Sequence, residues 1–227
     1  GIDVKFSGQT IRVLPKDSID AKILIVESDW SSASYHFSMV ALSQSADVSI
    51  NSYLQNSLQG DSVLVDIYSQ LGVTTSFDGH SLQLTKSNDL ESHISLDLIK
   101  APDIAQTIAV TCYGMGISCD LTGLHTLKIK ETDRLVALQN ELSKLGASIR
   151  ITEDSLHLDA RTTAIVPDVA IDTYHDHRMA MAFAPLSICV PIVINDADVV
   201  SKSYPSFWDD LRSLGFSSIP INNWSNP

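Results

Sequence analysis

Two short stretches of this chain concentrate side chains able to grip an anion and move a proton. The first, LKIKETDRL, carries Lys128, Lys130, Glu131, Asp133 and Arg134. Thr132 or Asp133 can cap a following helix, which leaves Arg134 in its first turn. A helix start has unpaired N–H groups and a partial positive charge, so cations beside it form a receptor for phosphate or carboxylate. The same cations oppose the helix dipole, which makes them poor choices for stability alone. A solvated, charged helix start is the competing reading.

The second stretch, YHDHRMAMAF, opens an otherwise apolar helix with His175, Asp176, His177 and Arg178. Two histidines and a carboxylate suggest a metal. His175 and His177 are two positions apart, however, which points them to different faces of a helix, and no further His or Cys lies nearby in sequence. The favoured arrangement has Asp176 capping the helix, Arg178 facing the same anion as Arg134, and His177 free for proton transfer or hydrogen bonding. In KAPDIAQTIA, Asp103 follows Pro102 at another acidic helix start; simple capping is its plain role and acid–base work the alternative. Lys202, in VVSKSYPSFWDDL, precedes a helix expected to start at Pro205 and is either surface decoration or an anion ligand. Asp29, Ser31, Ser32 and Asp61 read as mainly structural, being cap residues with no cation among them.

These stretches recur in a larger pattern. Three Leu-Gly pairs, Leu71-Gly72, Leu145-Gly146 and Leu214-Gly215, each end a helix-like segment. In the second, Leu135, Leu138, Leu142 and Leu145 form one apolar stripe closed by Gly146, a residue suited to a left-handed helix end. Alternating hairpin patterns follow Gly72 and Gly146. Upstream, Asp29, Asp103 and Asp176 stand 74 and 73 positions apart, each before a small-residue helical stretch and then a strand: ADVSINS, SCDLTGL or VPIVIND. A period above seventy is too long for a short solenoid repeat, so a closed arrangement of a few α/β units fits better. The opening residues 1–13 superpose without a gap on residues 72–84. Residues 1–20 therefore read as the end of a preceding domain, largely absent and cut from a longer chain, and 21–227 as one domain of three repeats. PKDSIDA is the expected crossing, and AKILIV the first strand beyond it.

Composition narrows the partners. The chain has 227 residues, 44% of them hydrophobic, and a formal net charge of −12, so disorder is excluded and a general grip on nucleic acid or an acidic membrane is disfavoured. No apolar run spans a bilayer and no secretory signal opens the chain, which reads as a soluble, cytoplasmic protein. Cys112, Cys119 and Cys189 read as reduced, buried thiols.

Taken in order, VESDWSSASY, QGDS, APDIAQTIA, KIKETDRL, ELSKLGA, TYHDHRMAMAF and KSYPSFWDDL resemble the C-terminal half of the EPSP synthase family of enolpyruvyl transferases. The likeness runs to about residue 216 and leaves the tail IPINNWSNP unexplained. It implies an inside-out α/β barrel-like domain and transfer of the enolpyruvyl group of phosphoenolpyruvate to shikimate-3-phosphate with release of phosphate, a step of aromatic amino acid biosynthesis. It implies no cofactor and no metal. By resemblance, Asp103 manages the substrate hydroxyl proton, Lys130 contacts that hydroxyl, and Glu131 exchanges protons with the methylene carbon. Arg134, Arg178 and Lys202 match cations around phosphoenolpyruvate, and His177 a neighbouring histidine. Thr126 and His175 depart from common asparagines, the first of which touches shikimate-3-phosphate. The family's N-terminal domain carries further ligands for both substrates, so these residues would be half a site. A transferase acting on UDP-N-acetylglucosamine shares fold and donor, and a catalytically silent module is the third possibility.

Overall fold

The computed structural model describes residues 2–221; Gly1 and residues 222–227, the end of the unexplained tail, lie outside the described residues. The chain opens in a hairpin of β1 (Val4–Ser7) and β2 (Thr10–Val13), paired only with each other. The superposition read from sequence carries over to the register. Val4 faces Val13 and Phe6 faces Ile11, as Thr75 faces Leu84 and Phe77 faces Leu82 in the later hairpin. Both strands are exposed on both faces, and neither adds a residue to the apolar cores.

The expected strand in AKILIV does not form. Residues 14–29 contain no helix or strand, and Ile23 and Val26 are 96% and 87% exposed. A strand is stable only where a neighbour takes up its backbone bonds. Near its end the Ser28 N–H bonds the Ser52 carbonyl, just past the strand Asp47–Asn51, at 2.6 Å.

Beyond it the repeats stand out. The first has α1 (Trp30–Leu42), β3 (Asp47–Asn51), α2 (Leu64–Ser69), β4 (Leu71–Asp78) and β5 (Ser81–Leu90), with strand order β3-β5-β4. The second has β6 (His93–Asp97), α3 (Ala105–Met115), β7 (Ser118–Thr122), α4 (Arg134–Lys144), β8 (Ile149–Ile151) and β9 (Leu156–Leu158), ordered β6-β7-β9-β8 with β6 and β7 parallel. The third has β10 (Val169–Ile171), α5 (His177–Phe183), β11 (Ile192–Ile194) and α6 (Phe207–Ser213), with β10 and β11 parallel and no closing hairpin among the described residues. Gly72 lies at a β4 bulge with φ +73° and not at a helix end, whereas Gly146 and Gly215 follow their helices with φ +99° and +95°.

Helices α1, α3 and α5 lie side by side inside, and the small sheets lie outside them. The contact between α1 and α3 joins equivalent positions of two repeats: Ser34 Oγ meets Thr107 Oγ1 at 3.1 Å and Thr111 Oγ1 meets Ser38 Oγ at 2.7 Å. Equivalent residues touch in this way only when the two helices run parallel, so their N-termini share one end. The Leu135, Leu138, Leu142 and Leu145 stripe of α4 is fully buried. Cys112 and Cys119 are buried as expected, but Cys189 is exposed, because the 3₁₀ turn that follows α5 carries it to the surface.

Gly123 follows β7 and begins the loop that leads to Lys130. Its φ is +76°, and a Cβ there would meet Asp97 Oδ1 and the Ile99 nitrogen at 2.5 Å. Gly8 has a similar φ of +57° but open space around it. Gly8→Ala should therefore cost about 1 kcal/mol, the strain of a left-handed alanine, whereas Gly123→Ala, which adds an overpacking clash, should cost roughly 2 to 4 kcal/mol. Urea unfolding of the two variants checks the difference; equal losses would contradict the role of Gly123.

Candidate active site

The chemistry-bearing residues meet at the shared helix ends. Asp133 caps α4 by accepting the Val136 N–H, and Arg134 is the first residue of that helix. Asp176 caps α5 by accepting the Arg178 N–H at 2.8 Å. Asp103 does not cap α3, as its sequence position suggested. It lies in a 3₁₀ turn, Pro102–Ile104, and its carboxylate turns toward the cations of the other repeats.

Arg134 is the centre of the cluster. Its side chain is only 2% exposed, and its Nε donates to Asp176 at 2.6 Å, one terminal nitrogen to Asp103 at 3.0 Å and the other to Glu131 at 2.7 Å. Lys130 approaches the same Asp103 carboxylate at 3.1 Å. Arg178 donates to the Asp103 carbonyl at 3.3 Å and reaches its carboxylate at 3.5 Å. Lys202 bonds beside the cluster, not within it: at the end of the 3₁₀ segment Ala197–Lys202, its Nζ donates to the carbonyl of His175, the residue before Asp176, at 2.6 Å. The helix expected at Pro205 begins only at Phe207. A turn separates it from Lys202, so Lys202 does not lie at a helix start.

The charges shift one another. Burial pushes the Asp103 carboxyl up, but Arg178, Lys130 and Arg134 outweigh it and hold Asp103 below the usual carboxylate range. Burial lowers the His177 imidazole below its ordinary value and outweighs the pull of Asp176 and Glu131. His177 Nδ1 is buried without a hydrogen-bond partner, 4.0 Å from Glu131 and from Asp176. Glu131, Asp176 and His177 together could offer three ligand atoms to a metal ion. Both carboxylates already neutralise Arg134, whose charge would repel a cation there. His175 points elsewhere, exposed and paired with Asp196 at 3.0 Å. Thr126 has a buried hydroxyl with no partner, and it stands apart from the bonded cluster.

Sequence reasoning missed two members. Arg178 donates to Ser31 Oγ at 3.4 Å, and Ser31 in turn donates to the Asp61 carboxylate, which burial pushes above its usual range against the pull of that bond and of Arg178. Ser31 and Asp61 looked like caps because no cation lies near them in sequence; the cation comes from the third repeat. Asp29 and Ser32 are capping residues as read: Asp29 accepts from the Ser31 and Ser32 N–H groups and from the Ser32 hydroxyl.

The family model described as EPSP synthase (3-phosphoshikimate 1-carboxyvinyltransferase) matches residues 1–211. The chain is 44% identical over 193 residues to the 3-phosphoshikimate 1-carboxyvinyltransferase of Bacteroides fragilis, covering 84% of this chain and 47% of the relative. With that of Neisseria meningitidis serogroup B it shares 34% over 218 residues, covering 94% and 50%. The chain thus spans about half the length of the curated relatives it matches. In fold it is similar to the solved EPSP synthase of Acinetobacter baumannii, with a TM-score of 0.75 at 23% identity over 94% of this chain and 52% of that one. With residues 1–211 under one family model and the helix-start cluster inside that span, the chain belongs to the EPSP synthase family.

Proposed function

We propose that the protein transfers the enolpyruvyl group of phosphoenolpyruvate to the hydroxyl of shikimate-3-phosphate, releasing phosphate, and that this chain supplies one half of the site. The observation that carries the reading is the convergence of Lys130, Arg134 and Arg178 on Asp103 at the common end of three repeats. Asp103, ionised and flanked by cations, can accept the proton of a hydroxyl held beside Lys130. Glu131, at the rim and bonded to Arg134, is available to exchange protons with the methylene carbon, and Thr126 offers an unpaired hydroxyl to shikimate-3-phosphate. Arg178 and Lys202 supply positive charge for phosphoenolpyruvate, with His177 neutral beside them. Placing fixed charges where a polyanion must sit is electrostatic and positional catalysis. The remaining ligands would come from a second domain closing over this face. The 227-residue chain alone is therefore expected to release no phosphate from the two substrates; robust turnover by it would overturn the two-half reading.

Arg134 and Arg178 are separable in the two-domain enzyme. Arg178 is 16% exposed at the side chain and bound by long contacts, so Arg178→Ala should lower kcat/KM for phosphoenolpyruvate about 100-fold with little change in Tm. Arg178→Lys should recover only part, since an ammonium lacks the planar fork. Arg134→Ala strips Glu131 and the buried Asp176 of their cation while Asp103 keeps Lys130 and Arg178, so it should also destabilise the fold by about 3 to 5 kcal/mol. Steady-state phosphate release alongside thermal melts checks both, and near-normal turnover by Arg178→Ala would remove phosphoenolpyruvate from the reading.

The pH dependence has a definite sign. His177 has a folded pKa below its ordinary 6.5, so its contribution to stability is complete above that value and is lost as pH falls through the window below it. Asp103, held below 3.8, adds a second loss only at more acidic pH. Melts between pH 7.5 and 5 should fall less steeply in His177→Gln than in the unmodified chain; parallel curves would contradict a neutral, desolvated imidazole.

A further inference from the structure

A second buried carboxylate lies outside the cluster, and no step above uses it. Glu141 sits on α4 two turns beyond Arg134, with its side chain fully buried. One oxygen accepts the Tyr174 hydroxyl at 2.7 Å. The other accepts the Asp172 N–H at 3.0 Å and Lys144 Nζ at 2.7 Å. Lys144 also bonds the Asp172 carboxylate at 2.8 Å, which takes a further bond from Asn195 at 2.7 Å.

What these bonds hold is a strained turn. Tyr174 and His175 are consecutive non-glycine residues in the left-handed region, with φ +55° and +57°. Each such residue costs about 1 to 2 kcal/mol and persists only where its surroundings dictate the conformation. The next residue is Asp176, which pairs with Arg134 and caps α5, and the His175 carbonyl is the acceptor of Lys202. Helix α4 thus grips this turn twice: through Arg134 to Asp176 and through Glu141 to Tyr174. With only the first grip, relaxation of Tyr174 and His175 toward negative φ would rotate the His175 carbonyl and shift Asp176.

We propose that Glu141 is a positioning residue for the cation cluster: by holding the Tyr174–His175 turn in its left-handed form, it sets Asp176 against Arg134 and Lys202 in register beside Arg178. The part of this inference that concerns phosphoenolpyruvate rests on the function proposed above. A merely structural Glu141 would tie α4 to β10 without influence on the cluster.

The test compares Glu141→Gln and Tyr174→Phe with Leu82→Ala, a core truncation in β5 of the first repeat, which packs on β3, β4 and α1. Tyr174→Phe removes a single hydroxyl, so it keeps the test informative if Glu141→Gln folds poorly. The first readout is the ¹⁵N–¹H spectrum of the 227-residue chain without substrate, following the Arg134 Nε–H that bonds Asp176 and the Arg178 amide that Asp176 caps. Both signals should move, and Arg178 amide exchange should speed up about tenfold in the two turn variants, while Leu82→Ala lowers Tm and leaves both signals in place. Lowered Tm with both signals unmoved in the turn variants would overturn the positioning role. The second readout is steady-state kinetics of the two-domain enzyme, where KM for phosphoenolpyruvate should rise about tenfold and KM for shikimate-3-phosphate should stay within about twofold. Moved signals with an unchanged KM for phosphoenolpyruvate would uphold the positioning role and overturn the choice of ligand.

Discussion

A guanidinium that is almost wholly out of water must be neutralised where it sits, and Arg134 imposes that requirement on the whole domain. Its three carboxylate partners come from the turn before α3, the turn before α4 and the first residue before α5. One buried charge therefore ties together segments that are 31 and 42 residues away in sequence. Isolated ion pairs of this kind are weak sources of net stability, because desolvation offsets most of their attraction. Their effect is conditional: with all partners present the helix starts are locked, and with one missing a bare charge remains. The same bonds occupy the Nε and both terminal nitrogens of Arg134, whereas Arg178 and Lys202 make fewer or longer contacts.

That arrangement explains how a chain of net charge −12 can gather cations at one end. Parallel packing of α1 and α3 through Ser34, Thr107, Ser38 and Thr111 brings helix N-termini to one end, where their dipoles add to the lysines and arginines. Acidic residues in the cluster do not defeat it. Asp103, Glu131 and Asp176 offset charge that would otherwise push the helices apart, and Asp103 stays ionised because three cations surround it. His177, by contrast, is kept neutral by burial, so it adds shape and hydrogen-bonding capacity without further charge.

The repeats share a plan but not a finish. The first lacks its opening strand, because residues 22–26 are exposed and pair with no other strand, and the third has no closing hairpin among the described residues. The hairpin β1–β2 has the register of β4–β5 but none of its burial: Leu82 and Leu84 are in the core, whereas Ile11 and Val13 face solvent. A strand pattern states what could pair, and pairing itself depends on an edge being within reach.

The amino-acid sequence by itself determined what depends on near neighbours along the chain. The caps at Asp29 and Asp176, the choice of Thr132 or Asp133 at α4, the leucine stripe of α4, the left-handed Gly146 and the hairpin registers all act within about four residues or across a tight turn, so their signals are local. The motif order then pointed to the family. Only the tertiary structure decided which side chains meet. Asp103, read as a cap or an acid–base group, became a partner of three cations; Ser31 looked like a cap and reached Arg178, with Asp61 bonded behind it; Lys202 found the His175 carbonyl. Glu141 carried no signal at all, since its partners Asp172 and Tyr174 lie on another repeat and the strain it restrains is a backbone property. Such contacts join residues up to 147 positions apart, and no local propensity encodes them, because they arise only once three parallel helices have packed and brought their first turns to one end.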